Sequence, residues 1–247
     1  MTKSKSDEFA VPKIVDRSTF QAKLDALRVR EKIHTSNGDA VAAARRRLPM
    51  VKVDGSTPLV GKRGAVTLVD ALEERRMLIA YYFMWNPGKP AAEQCEGCTW
   101  VTSQVREVSY LHSRDVTFAV FCQGPYQESA RYRDFMGWEM PWYSVRESAQ
   151  TLLVGRRVGM MHIVCYLRQG SNVFETYWTT IRGVEAMDNN YRLLDLTVYG
   201  RQENWEDSPA GWPQGDIMDT LRSKGRPTSQ WARVNAGYSD DLGTGKS

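Results

Sequence analysis

The sequence predicts an α/β fold in which a central mixed sheet is flanked by helices. Three short apolar runs, rich in aromatic and β-branched residues, are typical of buried strands: residues 77–85, 116–122 and 161–167. Segments with the apolar spacing of helices lie between the first and second runs and between the second and third. Strands that alternate with helices indicate a sheet covered on both faces, with right-handed crossovers between its parallel strands.

The N-terminal part of the chain is polar and then helical in pattern. Residues 1–17 are expected to be disordered, and residues 18–48 are expected to form two helices. Ser18 is a suitable N-cap for the first helix, and the segment Ser-Asn-Gly-Asp at 36–39 separates it from the second. The arginines at 45–47 fall in the last turn, where positive charge complements the helix dipole.

The order of elements after the first buried strand is that of a thioredoxin. A turn at Asn-Pro-Gly is followed by a Cys-x-x-Cys pair, a helix, a strand and a further helix, and then by two strands joined at a Gly-Ser turn and a last helix. A closing antiparallel hairpin followed by a helix is the thioredoxin arrangement. We therefore predict a single thioredoxin-like domain over residues 18–215, including the N-terminal helices at 18–48, and a C-terminal tail at 216–247.

Composition places the chain among ordinary globular proteins and disfavours two function classes. The 247 residues are 42% apolar and 25% charged, with a net charge of only +4. The basic residues are spread along the chain apart from 45–47, so the sequence shows no nucleic-acid footprint. No apolar run approaches the ~18 residues that a membrane span needs, and the N-terminus lacks an apolar signal region. We expect a cytoplasmic protein, a compartment that disfavours structural disulfides.

The pair Cys95 and Cys98 is the strongest candidate for chemistry. In a strand–loop–Cys-x-x-Cys–helix arrangement the first cysteine lies at the helix N-terminus, where unpaired N–H groups and the helix dipole stabilise a thiolate. Cys95 is then the nucleophile that attacks a disulfide, and Cys98, one turn along, resolves the mixed disulfide. Two unreactive thiols packed at a helix start are the alternative, which describes a non-catalytic scaffold.

His162 offers a second hypothesis for the same pair. Thioredoxins place a proline beside the two cysteines, just before the closing hairpin, but residues 159–170 contain no proline. Counting back from Gly170, the equivalent position falls on or near His162. Two thiolates and one imidazole form a soft ligand set that suits Cu(I) or zinc. Cys95, Cys98 and His162 are therefore an alternative copper site, although His162 also fits a structural role or an acid–base role beside Cys95.

The remaining candidates are expected to be structural. Cys122 and Cys165 each lie in a predicted buried strand, and they would form a second redox pair only if those strands are neighbours. The polar and aromatic segment with Arg201, Glu203 and Trp205 is expected to cap the C-terminal helix, with a pocket-lining role as the alternative. A peroxiredoxin motif needs a Thr or Ser between its proline and its cysteine, and no such residue lies between Pro90 and Cys95.

Several stretches together resemble one protein family. They are RRRLPMVKV, LIAYYFMWNPG, CEGCTW, HSRDVTFAVF, RYRDFMGWEMPWYS, TYWTTIRGVEAM and LLDLTVYGRQENWED. These stretches are similar to the thioredoxin-like proteins grouped as domain of unknown function 899, often described as predicted dithiol-disulfide oxidoreductases. The resemblance covers about residues 18 to 212.

This resemblance implies a thioredoxin-like fold with a redox pair at Cys95 and Cys98, in an enzyme whose substrate is unassigned and is sometimes placed in secondary metabolism. The family often carries Ser-Arg-Ala-Pro after the second strand, whereas this chain has Phe121-Cys122-Gln123-Gly124-Pro125. No site role is therefore carried over to that segment. The leading prediction is a thiol-disulfide oxidoreductase that acts on a small-molecule or protein disulfide and needs no cofactor, with the copper protein as the alternative.

Overall fold

An eight-stranded mixed sheet forms the centre of the protein in the computed structural model, which describes residues 9–244. The order across the sheet is β1-β8-β7-β4-β5-β6-β2-β3. The strands are β1 (Val51–Val53), β2 (Pro58–Gly61), β3 (Gly64–Thr67), β4 (Met77–Phe83), β5 (Val116–Cys122), β6 (Trp142–Ser144), β7 (His162–Gln169) and β8 (Asn172–Thr180). The short strands β1 and β6 extend this sheet beyond the predicted buried runs.

Four of these strands have the thioredoxin topology. β4 pairs in parallel with β5 and antiparallel with β7, and β7 pairs antiparallel with β8. The helix α2 (Glu96–Ser103) follows β4, and α4 (Tyr126–Met136) follows β5. The order β8-β7-β4-β5, with helices connecting the strands, confirms the predicted thioredoxin-like α/β fold. β7 and β8 are joined by the predicted turn, in which Gly170 has a positive φ of 59°.

The two faces of the sheet bury separate apolar clusters. Alternate residues of a strand point to opposite faces. On the face that we call the front, Tyr81 and Phe83 of β4 pack in a cluster with residues of α2 and α4. On the back, Leu78, Ala80 and Tyr82 pack with the turn at 70–72 and with α5 (Ala149–Leu152). The sheet is therefore covered on both faces, and the long run at 77–83 is apolar because both of its faces are buried.

The N-terminal segment forms one helix where two were predicted. α1 (Arg17–Arg45) runs without interruption through Ser36, Asn37 and Gly38. The Ser36 hydroxyl donates to the carbonyl of Lys32, which satisfies that polar side chain within the helix. The N-cap is Asp16, not Ser18, and its carboxylate accepts from the backbone N–H of Thr19 at 2.8 Å.

Two other predicted helices are shorter than expected. The apolar spacing of residues 99–115 predicts one helix after the Cys-x-x-Cys pair, but that helix ends at Ser103 and the chain becomes helical again only in α3 (Ser109–His112). The Glu107 carboxylate accepts from the N–H of Ser109 at 2.6 Å and so caps the restarted turn. The predicted terminal helix is a 3₁₀ segment (Ile181–Met187) followed by α6 (Asn189–Leu194).

The chain divides into two compact units. The first contains residues 9–49 and 194–215, and the second contains the sheet with residues 216–244. Residues 216–244 form α7 (Ile217–Leu221), the strand pair β9 (Arg222–Ser223) and β10 (Arg226–Pro227), and α8 (Trp231–Asn235). The predicted limits of the disordered segment, the domain and the tail stay predictions, and residues 1–8 lie outside the described part of the chain. None of the helices within residues 9–244 is both long and apolar enough to cross a membrane.

Candidate redox site

Cys95 is the N-cap of α2. Its backbone is not helical, with φ −57° and ψ 116°, and its Sγ accepts from the backbone N–H of Cys98 at 3.3 Å. Its carbonyl accepts the first intrahelical hydrogen bond, from Thr99 at 3.0 Å. The sulfur thus lies where the N–H groups of the first helical turn are unpaired and where the helix dipole favours negative charge. The half-buried thiol has the position that the sequence predicted for the nucleophile.

The second sulfur lies in a different environment. Cys98 is only 1% exposed, packs in the front cluster and accepts from the backbone N–H of Met84 at 3.4 Å. Burial raises the pKa of the Cys98 thiol well above its ordinary value. Hydrogen bonds from the Cys98 thiol and from the N–H groups of Cys98 and Gly97 lower the pKa of Cys95, against an opposing effect of burial. Cys95 therefore ionises first, and its thiolate is held by the still-protonated Cys98.

Tyr81 lies beneath the cysteine pair on β4. Its side chain is fully buried in the front cluster, and its hydroxyl has no hydrogen-bond partner of ordinary geometry in the described residues. Burial raises the pKa of Tyr81, and the neighbouring Cys98 and Cys95 raise it further. The same hydroxyl acts in the opposite direction on Cys98, whose pKa it lowers. A phenol that stays protonated is thus available as a donor to the buried sulfur.

A chain of buried hydrogen bonds fixes the backbone of Cys95. The amide of Gln230 donates to the hydroxyl of Tyr132 at 2.7 Å, and the Tyr132 and Thr99 hydroxyls lie 2.6 Å apart. Since Thr99 donates its only hydroxyl proton to the carbonyl of Cys95 at 2.6 Å, the Tyr132 hydroxyl donates to Thr99. Gln230, Tyr132 and Thr99 are each fully buried. No local sequence motif connects these three residues, so the sequence did not predict them.

His162 does not join the two cysteines. It pairs directly with Tyr82 across β4 and β7, and directly paired residues point to the same face of a sheet. Its ring contacts Tyr82 and Trp178, and its Nε2 is 2.9 Å from the carbonyl of Arg157. His162 therefore belongs to the back face, whereas Cys98 lies on the front. Within residues 9–244 no three His, Cys, Asp or Glu side chains cluster as a metal site would require.

The other two cysteines are apart from each other. Cys122 pairs with Phe83 and Cys165 with Ile79, on opposite sides of β4, so their strands are not neighbours. The condition for a second redox pair is not met. Burial raises the pKa of Cys122 to about 12 and that of Cys165 to about 11, which keeps both thiols protonated and unreactive at neutral pH.

The segment around Arg201 forms contacts within its own loop. Arg201 binds both carboxylate oxygens of Asp195, at 2.8 and 2.9 Å, and lies over the ring of Trp205. The Trp205 indole N–H donates to Glu203, which is 4% exposed. The Glu206 carboxylate accepts from the backbone N–H groups of Arg201 and Glu203. These contacts fit the structural role expected for the segment.

The fold and the paired thiols together define the class of the protein. It is a thioredoxin-like protein with two cysteines at the start of the helix that follows the central strand. The chain belongs to the family described as bacterial protein of unknown function (DUF899), which matches residues 9–236. The family resemblance seen in the sequence is thus confirmed. No curated protein matches the chain significantly.

Solved structures show a distant likeness. A cysteine-to-serine mutant of peroxiredoxin Q from Xanthomonas campestris is 12% identical, with 59% of this chain and 96% of that chain covered and a TM-score of 0.41. A thioredoxin from Wuchereria bancrofti is 14% identical, with 56% and 90% covered and a TM-score of 0.36. The assignment of the fold rests on the strand order and on the position of the cysteine pair described above.

Proposed function

We propose that the protein is a thiol-disulfide oxidoreductase that uses Cys95 as nucleophile and Cys98 as resolving thiol. One observation carries the proposal: the two sulfurs are adjacent but unequal. Cys95 is half-buried at a helix N-terminus with a lowered pKa, and Cys98 is 1% exposed with a raised pKa. A nucleophile must reach substrate as a thiolate, whereas a resolving thiol reacts only within the protein and needs no access from solvent.

The reaction is a transfer of two electrons and two protons from the dithiol to a disulfide. The Cys95 thiolate attacks one sulfur of the substrate, which breaks the S–S bond, forms a Cys95–substrate disulfide and releases the first substrate thiolate. Cys98 then loses its proton and attacks Sγ of Cys95, which forms the Cys95–Cys98 disulfide and releases the second thiolate. The released thiolates take up the two protons, and an external dithiol reductant returns the protein to its reduced form.

The test follows the sulfur atoms directly. The reduced native protein is incubated in glutathione redox buffers of increasing oxidation, and the thiols are identified by mass spectrometry after acid quenching. We expect a reversible loss of two hydrogens located at Cys95 and Cys98. Cys98→Ser should stop at a mixed disulfide of Cys95 with glutathione, Cys95→Ser should abolish both products, and Cys165→Ser is the matched control that should behave as the native protein does.

Two results would overturn the proposal. One is a Cys95–Cys98 pair that cannot be oxidised and reduced reversibly, which would instead favour the scaffold with unreactive thiols. The other is disulfide reduction that persists unchanged in Cys95→Ser.

The copper-binding alternative stays a prediction without a geometric argument of its own. Two thiolates can bind a soft ion such as Cu(I), but the third ligand expected at His162 lies on the opposite face of the sheet. Elemental analysis of untagged protein, before and after reconstitution with Cu(I), tests it. Stoichiometric copper that is lost in Cys95→Ser and in His162→Gln would support the three-ligand site.

A further inference from the structure

Arg222, at the start of β9, reaches the turn that leads into Cys95. Its Nη1 donates to the carbonyl of Ala92 at 2.6 Å, and its Nη2 donates to the carbonyl of Gln94 at 3.0 Å. The same Nη2 also donates to a carboxylate oxygen of Glu96 at 2.8 Å. One guanidinium therefore holds the residues on both sides of Cys95, using the planar fork that distinguishes arginine from lysine.

Arg222 binds Glu96, whose negative charge disfavours ionisation of the Cys95 thiol. Glu96 is the first residue of α2 and directly follows Cys95, and its charge raises the pKa of Cys95. The ion pair is partly buried, with side chains 30% exposed for Arg222 and 17% for Glu96. The positive charge of Arg222 reduces the repulsion between the Glu96 carboxylate and a Cys95 thiolate.

The other titratable groups around Cys95 carry no charge that replaces Arg222. They are Cys98 on α2, Tyr81 on β4 and Tyr132 on α4, and burial raises the pKa of each of the three. All three are therefore neutral at physiological pH. Within residues 9–244, Arg222 is the only cationic side chain that forms an ion pair with Glu96.

We propose that Arg222 is a positioning residue of the cysteine site, which controls the reactivity of Cys95 from the C-terminal segment by neutralising Glu96 and holding the carbonyl groups of Ala92 and Gln94. The proposal rests on the proposed function only in taking Cys95 as the reactive thiol. If the contact between Arg222 and Glu96 were purely structural, loss of either side chain would disturb the turn before Cys95. Both losses would then change the reactivity of Cys95 in the same direction.

Opposite charge changes distinguish the two roles. The rate of alkylation of Cys95 by iodoacetamide is measured from about pH 5 to pH 10, with the labelled cysteine identified by mass spectrometry. We expect Arg222→Gln to move the midpoint of the pH profile to higher pH and to slow alkylation by about three-fold at pH values below that midpoint. The reason is that the charge of Glu96 is then no longer neutralised. Glu96→Gln should accelerate alkylation by about three-fold and move the midpoint to lower pH.

Two further variants complete the test. The double variant Arg222→Gln/Glu96→Gln should return to within about two-fold of the native rate, since both charges are removed. Arg222→Lys keeps the charge without the fork and should retain the native midpoint. The proposal is overturned if Arg222→Gln leaves the pH profile unchanged, or if Glu96→Gln slows alkylation. Glu96→Gln decides the matter alone if Arg222→Gln does not fold.

The readout also separates this proposal from the proposed function. Alkylation needs a reactive Cys95 but no disulfide exchange. A protein that shows these shifts and does not reduce disulfides would refute the oxidoreductase and support the role of Arg222.

Discussion

The hydroxyl groups of Thr99 and Tyr132 lie 2.6 Å apart in the interior, between the helix that carries the cysteines and the helix that follows β5. Tyr132 is the central member of the chain from Gln230 to the carbonyl of Cys95. Tyr132→Phe removes one hydroxyl and leaves buried polar groups on both sides without that partner. We expect a loss of about 1–3 kcal/mol in the free energy of unfolding, measured by urea denaturation.

Tyr110→Phe is the matched control for that change, because Tyr110 is 70% exposed. It should alter stability by less than about 0.5 kcal/mol. Equal effects of the two substitutions would show that the buried hydrogen bonds of Tyr132 contribute no net stability.

Tyr81→Phe should slow the resolving step and leave the first step unchanged. The Tyr81 hydroxyl lies beside the buried Cys98 sulfur and lowers the pKa of Cys98, so it favours the thiolate that attacks Cys95 in the proposed reaction. A hydrogen bond to a charged group contributes more than one to a neutral group, and we expect a decrease of about ten-fold. The rate is read from the release of thionitrobenzoate when Cys98 resolves a Cys95–thionitrobenzoate disulfide.

Tyr82→Phe provides the control for this prediction on the same strand. Tyr82 points to the back of the sheet, where its hydroxyl meets that of Tyr166 at 2.7 Å. The substitution should cost stability without changing the release rate. A slower release in both variants would mean that general loosening of β4, and not the Tyr81 hydroxyl, limits resolution.

Gly124→Ala should be strongly destabilising. A Cβ at this position would lie 2.0 Å from Cδ1 of Trp85, whose indole is 8% exposed and donates to Glu128 at 3.2 Å. The indole cannot move away without losing that hydrogen bond, so we expect a cost of about 3 kcal/mol in thermal or chemical denaturation. Gly38→Ala is the control: Gly38 is exposed in α1, and beyond its chain neighbours and the local helix backbone no atom lies within 4 Å of the added Cβ. It should be neutral or stabilising by up to about 1 kcal/mol.

His162 should make stability depend on pH in the mildly acidic range. Burial lowers the pKa of His162 below its ordinary value, and the nearby Arg156 acts in the same direction. Below about pH 6.5 the unfolded chain binds a proton at this position that the folded chain does not, so stability should fall as pH decreases through that value. Above about pH 6.5, His162 should not make stability depend on pH.

The measurement is the free energy of unfolding between about pH 5.5 and pH 7.5, a window above the ordinary range of the carboxylates. His162→Gln should reduce the slope, whatever its effect on absolute stability. His34→Gln, at an exposed position of α1, should leave the slope as it is. A slope that is the same in all three proteins would contradict the prediction.

The sequence predicts those parts of the fold that local patterns encode. The runs at 77–83 and 116–122 are identifiable because strands buried on both faces need continuous apolar residues. The position of Cys95 at a helix start follows from the strand before it and the helical spacing after it. The uninterrupted α1 was not predictable from the turn-like Ser-Asn-Gly-Asp segment, because helical context overcame a weak local preference.

Placement of His162 depends on register, which the sequence does not fix. A shift of one residue between β4 and β7 would turn His162 to the front face and Ile163 to the back. Arg222 and Glu96 are separated by 126 residues, and no motif connects them. Contacts of this kind are set by tertiary packing, so the sequence predicted the position of the two sulfurs but not the residues that contact them.

The long separation between the cysteine turn and its supports also gives the site an order of assembly. A ribosome makes Cys95 and Cys98 long before it makes Arg222 and Gln230, whose side chains bind the carbonyls of Ala91, Ala92 and Gln94. A nascent chain that stops short of residue 222 carries both thiols but neither of these supports. The cysteine turn therefore gains these contacts only after residues 222–230 have been synthesised.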